Sequence, residues 1–418
     1  MPVHSGATLL QRFQQVRSTT LRLADPLSAE DAMVQSMSDA SPAKWHLAHT
    51  TWFFETFILS EQLAGYHIFN PEYRVLFNSY YKAVGSHPAR QQRGTFSRPS
   101  LSNVLRYREH VNEAMDRLLL QEPSPGTLTL VELGLHHEQQ HQELLLTDIL
   151  HAFWTQPLRP AYAPPAEAAA SPAAAPLRWS AHPGGQVETG AGDAGFAFDN
   201  ERPRHATLLS PFHLASRLAT NAEYLQFIYD RGYERPELWL SDGWDTVCRE
   251  GWRAPIYWEK DGDQWSEFSL RGMNPLNPAA PVSHVSYYEA DAFARWSGAR
   301  LPLETEWEHA AAGRSIVGNL LESWSLGACP STANTGEEDQ LFGDLWEWTA
   351  SAYLAYPGFR PAPGAVGEYN GKFMCNQFVL RGGSFATSAS HIRATYRNFF
   401  PPHVRWQFMG IRLASYER

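Results

Sequence analysis

Along the first 155 or so residues, apolar positions recur close to every 3.6 residues in four separate stretches, the pattern of helices with one buried stripe. TLLQRFQQVRSTTLRLADPL opens the first. SPAKWHLAHTTWFFETFILSEQL is the second, with Ser41 predicted as N-cap and Pro42 at the first helical position. SLSNVLRYREHVNEAMDRLLL and TLVELGLHHEQQHQELLLTDILHAF complete the set. Four helices of this length predict an up-down bundle, a scaffold that builds metal sites from side chains on facing helices. A long loop, GYHIFNPEYRVLFNSYYKAVGSHPARQQRGTFSRP, separates the second helix from the third, and its length points to function more than to connection.

Beyond the fourth helix the pattern breaks. An Ala- and Pro-rich stretch, TQPLRPAYAPPAEAAASPAAAPLRW, reads as an interdomain linker. From about residue 178 the texture becomes Gly, Pro, Trp and short strand-like runs: GGQVETG, HATLLSPFHLA, FVLRGGSF and FMGIRLA. One helix is expected among them, over SYYEADAFARWSGARLPLETEWEHAAAG, and the whole reads as an α+β domain with many loops. The expected organisation is therefore a helical bundle over 1–156, a linker over 157–178 and a second domain over 179–418.

Charge and composition narrow the partners. The 34 Lys and Arg against 44 Asp and Glu leave a net charge of −10, with no long basic run, which argues against nucleic acid and anionic membranes. The 15 Trp, 17 Tyr and 22 Phe suit packed cores and stacking surfaces, not disorder. Three scattered cysteines, Cys248, Cys329 and Cys375, read as reduced thiols. No early apolar run resembles a signal peptide and no stretch approaches a membrane span, so the expected location is the cytoplasm. Oligomeric state is not readable from the chain.

The chemistry concentrates in HHEQQHQE. Four residues of helix put His137 and His141 about 40° apart, so both imidazoles reach one ion. Glu143 is about 200° round from His141, on the other face, so a third ligand should come from another helix. His49, in WHLAHTTWFFE, is the best candidate. Three neutral imidazoles leave coordination positions open on an iron-like metal, which suits oxygen chemistry. His46 and His136 lie beside the trio as groups around the site, and Glu138, Gln139 and Gln140 as residues able to orient ligands.

HTTWFFE, HHEQQHQE, FNSYY, WLSDGW, PVSHVSYYEADAFARW, GDLWEWT, YPGF, GAVGEYNGKFM, VLRGGSF and RNFFPPHVRWQFMGIRLA together resemble the ergothioneine-biosynthesis sulfoxide synthases. The resemblance covers nearly the whole chain. It implies a DinB-like four-helix bundle followed by a C-type-lectin-like domain of the formylglycine-generating-enzyme kind. It implies an Fe(II) cofactor and O₂ as co-substrate, with a sulfur donor joined to C2 of the imidazole of hercynine (N,N,N-trimethylhistidine) as a sulfoxide. The family's iron ligands fall on His49, His137 and His141. Tyr80 and Tyr81 match a tyrosine pair beside the iron in members using free cysteine, where a phenol can donate a hydrogen bond or proton as the oxidant develops charge.

Gln140, the residue before the last ligand, is placed by the resemblance against hercynine. Arg90 and Arg93 are expected to hold the donor's carboxylate as guanidinium forks. Arg397, Asn398, Phe399 and Phe400 resemble the hercynine pocket, whose aromatic faces bind trimethylammonium by cation–π attraction. The loop from Gly85 to Arg93 departs from the family pattern, which leaves cysteine and a selenosugar as alternative donors; the second would make the chain a selenoneine synthase. Cys375 has no second cysteine nearby, which argues against oxidation of a target-protein cysteine, and GAGDAG lacks the strand-to-helix context of a phosphate loop. Readings from other classes are a non-catalytic lectin-like binder and a thiol-dependent transferase on a DinB-like scaffold.

Overall fold

The computed structural model describes residues 6–165, 172–333, 337–361 and 365–416; part of the Ala/Pro-rich linker, 166–171, lies outside them. The chain divides into two compact units. The first comprises Met1–Ala163 with two later segments, Asp193–Phe196 and Ala362–Tyr369. The second comprises Pro164–Gly192, Ala197–Pro361 and Asn370–Arg418.

The first unit is built on four long helices: α1 (Gly6–Ala24), α2 (Ala43–Phe54), α5 (Leu101–Leu119) and α6 (Pro125–Thr155). Short helices α3 (Ser60–Gln62) and α4 (Tyr73–Leu76) lie between α2 and α5. Helix α1 buries Leu9, Phe13, Val16 and Leu23, one stripe at helical spacing. Helix α2 is buried on all sides and so has no such stripe; it continues into a π turn over Glu55–Leu59. Ser100 caps α5 and Ser124 caps α6, each hydroxyl accepting from the backbone N–H three residues on. Helix α1 packs on α5 and α6, and α2 on α5 and α6.

The predicted cap of α2 is displaced by one residue. Pro42 occupies the N-cap position and makes no side-chain cap bond. Ser41 serves tertiary contacts instead: its N–H donates to Asp148 Oδ2 at 2.7 Å, and its hydroxyl accepts from Arg93 at 2.9 Å.

One buried carboxylate ties the helices together. Glu138 on α6 accepts from Arg17 of α1 at 2.9 Å, Arg108 of α5 at 2.9 Å and Thr20 at 2.7 Å. Arg17 also donates to Thr51 of α2. Burial works to raise the Glu138 pKa, but the two guanidiniums overcome it and hold the carboxyl down at about 2.

In the second unit, β1 (Trp179–His182), β4 (Phe212–Ala215) and β12 (Ala414–Ser415) form one sheet in the order β1-β4-β12. Strands β8 (Trp346–Ala352), β9 (Phe378–Arg381), β10 (Asn398–Phe400) and β11 (Met409–Gly410) form another, ordered β10-β9-β8-β11, with only β11 parallel to its neighbour. A hairpin of β2 (Gly185–Thr189) and β3 (His205–Leu209), and a three-stranded meander of β5 (Trp258–Asp261), β6 (Gln264–Ser269) and β7 (Gly272–Pro275), complete the sheets. The core beneath GDLWEWT holds a fully buried ion pair: Arg412 forks onto Glu347 at 2.7 and 2.8 Å, while Trp307 Nε1 donates to Glu347 at 2.7 Å.

The single helix expected over 286–313 is two, α9 (Tyr287–Trp296) and α10 (Glu304–Ala311). Gly298, at φ +68°, ends the first. Pro302 stands in the connection, and Arg300 forks onto Glu306 at 2.7 Å across the break. Two further helices, α7 (Asn221–Tyr229) and α8 (Ser241–Glu250), escaped the pattern. The first was legible: Thr220 and Glu223 form a reciprocal capping box. Among the described residues no helix is long and apolar enough to cross a membrane.

Candidate metal centre

Helix α6 carries His137 and His141 on one face, and α2 brings His49 to meet them. One ring nitrogen from each converges, all within 4.8 Å of one another. Ring centroids lie 4.9 Å apart for His49 and His137, 4.9 Å for His49 and His141, and 4.7 Å for His137 and His141. Glu143 is buried on the same helix but is not part of this group.

Burial is the main force on all three imidazoles. It lowers the His137 pKa to about 3, and it drives His49 and His141 well below the usual histidine range, with the neighbouring His137 adding to both. The rings are therefore neutral near pH 7, each with a lone pair to give. His49 donates Nδ1–H to the Phe77 carbonyl at 2.7 Å, which leaves Nε2 as its free donor atom. Trp45 and Trp52 both lie nearly parallel to the His49 ring, at 4.4 and 5.4 Å. Phe53 rests against His137 at 4.9 Å. His141 Nδ1 meets His46 Nδ1 at 2.8 Å, while His137 Nδ1 is buried without a hydrogen-bond partner among the described residues. Three neutral, converging imidazoles, His49 and His137 buried and His141 half-buried, make a donor set that fits a divalent transition ion. His136 is directed elsewhere, stacked on Phe196 at 3.9 Å.

Tyr80 and Tyr81 stack at 4.7 Å in the loop after α4. Tyr81 is buried against Trp52 and Phe57, and that burial raises its pKa well above the ordinary phenol value, so the hydroxyl keeps its proton. The next two backbone amides, of Lys82 and Ala83, donate to the Glu368 carboxylate at 3.2 and 3.0 Å. That contact brings in Tyr369, which reading the sequence missed. Its ring lies 5.7 Å from His137, and its hydroxyl donates to Gln140 Oε1, 229 residues away along the chain. GAVGEYNGKFM carries part of the family resemblance, but nothing in its spacing directs Tyr369 toward the histidines.

Of the two arginines expected at the donor site, Arg90 is exposed and Arg93 is buried. Arg93 lies 3.5 Å above the Trp45 ring and forms no ion pair among the described residues. Burial, then the charge of Arg90, pushes its pKa down to about 9. Lys44, Trp45, Phe77, Arg93 and Phe96 line a cavity of about 10 Å³, room for one water.

Asn398, Phe399 and Phe400 form β10 of the second unit. Phe399 stacks on Tyr353 at 4.0 Å, and Asn398 Oδ1 accepts from the Phe399 N–H at 2.9 Å. Arg397, expected in the ligand pocket, is buried and committed elsewhere. Its guanidinium forks onto Glu304 at 2.9 Å and lies 3.9 Å over the Tyr356 ring, a structural role.

Comparison with known proteins agrees with this picture. The sequence model of the sulfatase-modifying factor enzyme 1-like domain matches residues 174–339 and 332–416. The hercynine oxygenase of Mycolicibacterium thermoresistibile is 32% identical over 98% of this chain and 94% of its own length. That of Mycobacterium tuberculosis is 30% identical over 98% of this chain and 99% of its own. The formylglycine-generating enzyme of Streptomyces coelicolor is 29% identical, over 60% of this chain and 94% of its own. Helices carrying a histidine triad, followed by a sulfatase-modifying-factor domain and matched end to end by hercynine oxygenases, place the chain in the ergothioneine-biosynthesis sulfoxide synthase family.

Proposed function

We propose that the protein is a non-haem Fe(II), O₂-dependent enzyme that joins a thiol, cysteine, to C2 of the hercynine imidazole. In that reaction the C2–H and the S–H are lost, one oxygen atom ends on sulfur as the sulfoxide, and the other leaves as water. The observation that carries the reading is the meeting of three neutral imidazoles from two helices, His49 and His137 buried and His141 half-buried, beside the Tyr369 ring. His49, His137 and His141 would hold iron(II), which would supply oxygen and one-electron chemistry beyond the reach of side chains.

The chain's own residues bind, shield and move protons. Tyr369 is a phenol beside His137, and Tyr81, packed on Trp52, holds its proton at neutral pH and is suited to giving it up only as negative charge grows nearby. Trp45, Trp52 and Phe53 keep bulk water from the imidazoles. Arg93, a buried cation without a carboxylate partner among the described residues, is suited to the donor's carboxylate, with Lys44 adding positive charge. Gln140, fixed by Tyr369, is suited to a hydrogen bond with hercynine. For Asn398, Phe399 and Phe400 the assignment as hercynine contacts rests on the sequence motif. We further propose a DinB-like scaffold for the helical unit and a cytoplasmic location.

A selenosugar donor is the second reading. It rests on the loop from Gly85 to Arg93, which departs from the family pattern. The test incubates the protein with hercynine, Fe(II) and O₂, adding cysteine, γ-glutamylcysteine or a selenosugar in turn, and reads the product by mass. A His137→Ala variant is expected to lose both iron binding and oxygen uptake. Turnover retained by that variant would refute the metal assignment.

A further inference from the structure

We infer that Asp148 and His46 are positioning residues, a hydrogen-bonded relay that commits His141 to ligation through Nε2. The inference rests on the metal reading above and extends it to residues outside the ligand set.

Asp148 lies two turns beyond His141 on α6. Its Oδ2 accepts the Ser41 N–H at 2.7 Å, and a backbone N–H can only donate. The same oxygen lies 3.0 Å from His46 Nε2, so that nitrogen must bring the hydrogen to the bond. With His46 as a neutral imidazole, which has one N–H, its Nδ1 keeps only a lone pair. His46 Nδ1 is 2.8 Å from His141 Nδ1. Two nitrogens at that distance share one hydrogen, and His141 has to supply it. The lone pair of His141 is then on Nε2. For a neutral His46 each step has one direction, because the chain begins at a backbone amide that cannot accept.

The three ligands are therefore held differently. His49 is oriented by a backbone carbonyl, His141 by a carboxylate acting through a second imidazole, and His137 by no hydrogen bond at Nδ1. A carboxylate behind a ligating histidine fixes the ring and raises the basicity of the far nitrogen. His141 is accordingly the strongest donor of the trio. The relay also joins α2 to α6, since His46 lies on the former and Asp148 and His141 on the latter.

The test uses the full chain, with Zn(II) as a diamagnetic probe measured by chelator competition. In ¹⁵N-histidine NMR of the metal-free wild type, His141 is expected to carry its proton on Nδ1, with coupling across the bond to His46 Nδ1. A His141 Nε2–H tautomer would overturn the relay, and this readout needs neither a variant nor a metal. His46→Phe is expected to weaken Zn(II) binding by about 10- to 100-fold. His46→Asn, whose Oδ1 can stand where Nδ1 stood, should recover most of that loss. Asp148→Leu, which lets His46 take either tautomer, should weaken binding in the same direction, and wild-type affinity in it would remove Asp148 from the relay. Equal affinity in wild type and His46→Phe sinks the relay alone. A wild type that binds no Zn(II) sinks the metal reading beneath it.

Discussion

Gly134 sits one turn before His137, where α6 meets the aromatic residues of α2. A Cβ built there would stand 2.7 Å from Phe54 Cε1 and 3.0 Å from both Phe53 Cε1 and Phe54 Cζ. Both rings are essentially fully buried and have nowhere to retreat. Helix propensity alone favours Gly134→Ala by about 1 kcal/mol. Forcing a methyl group into a packed core costs about 1–3 kcal/mol. The crowding term wins, and the variant is expected to lose about 1 kcal/mol of stability. The loss should reach the metal centre as well, because the Phe53 ring that would have to move rests 4.9 Å from His137. Urea denaturation of the metal-free protein measures the first effect, and chelator competition with Zn(II) the second. A variant more stable than wild type by about 1 kcal/mol, with unchanged Zn(II) affinity, would show that α2 and α6 do not approach this closely and would refute the reasoning.

Other perturbations test the remaining parts. Glu138→Gln leaves the Arg17 and Arg108 guanidiniums buried without their anion and should cost about 3–5 kcal/mol in chemical denaturation, where an exposed pair such as Arg231–Glu234 would cost under about 1; a loss below about 1 kcal/mol would contradict the buried-triad account. Replacing both Tyr80 and Tyr81 by Phe should leave hercynine affinity near normal but lower C–S bond formation, diverting the thiol to sulfinate; unchanged product ratios would exclude them from the chemistry. Burial lowers the His284 pKa to about 3, so its contribution to stability is complete above the unfolded value near 6.5 and declines as pH falls from there toward 3, by about 1.4 kcal/mol per pH unit. His284 has φ +61°, which asparagine tolerates, so His284→Asn should keep the backbone while flattening the acid slope of denaturation midpoints; an unaltered slope would exclude this histidine as a source.

The sequence alone determined what depends on neighbours along the chain. Helical period put His137 and His141 on one face and excluded Glu143, and turn and strand chemistry marked β2, β3, β4 and β9. The Thr220–Glu223 capping box was equally local and was simply overlooked. Two expectations gave way to distant contacts, whereas the break between α9 and α10 is local, set by Gly298. Ser41 gave up its cap position for Asp148 and Arg93, and Arg397 was drawn to Glu304. Tertiary structure alone decided which far-off groups surround the histidines. Tyr369 arrives because the Glu368 carboxylate accepts from two amides of the tyrosine loop, and His46 meets Asp148 because α2 packs on α6. Periodicity records which side of an element is buried, whereas the partner across the interface is set by packing and hydrogen-bond satisfaction between segments that share no spacing.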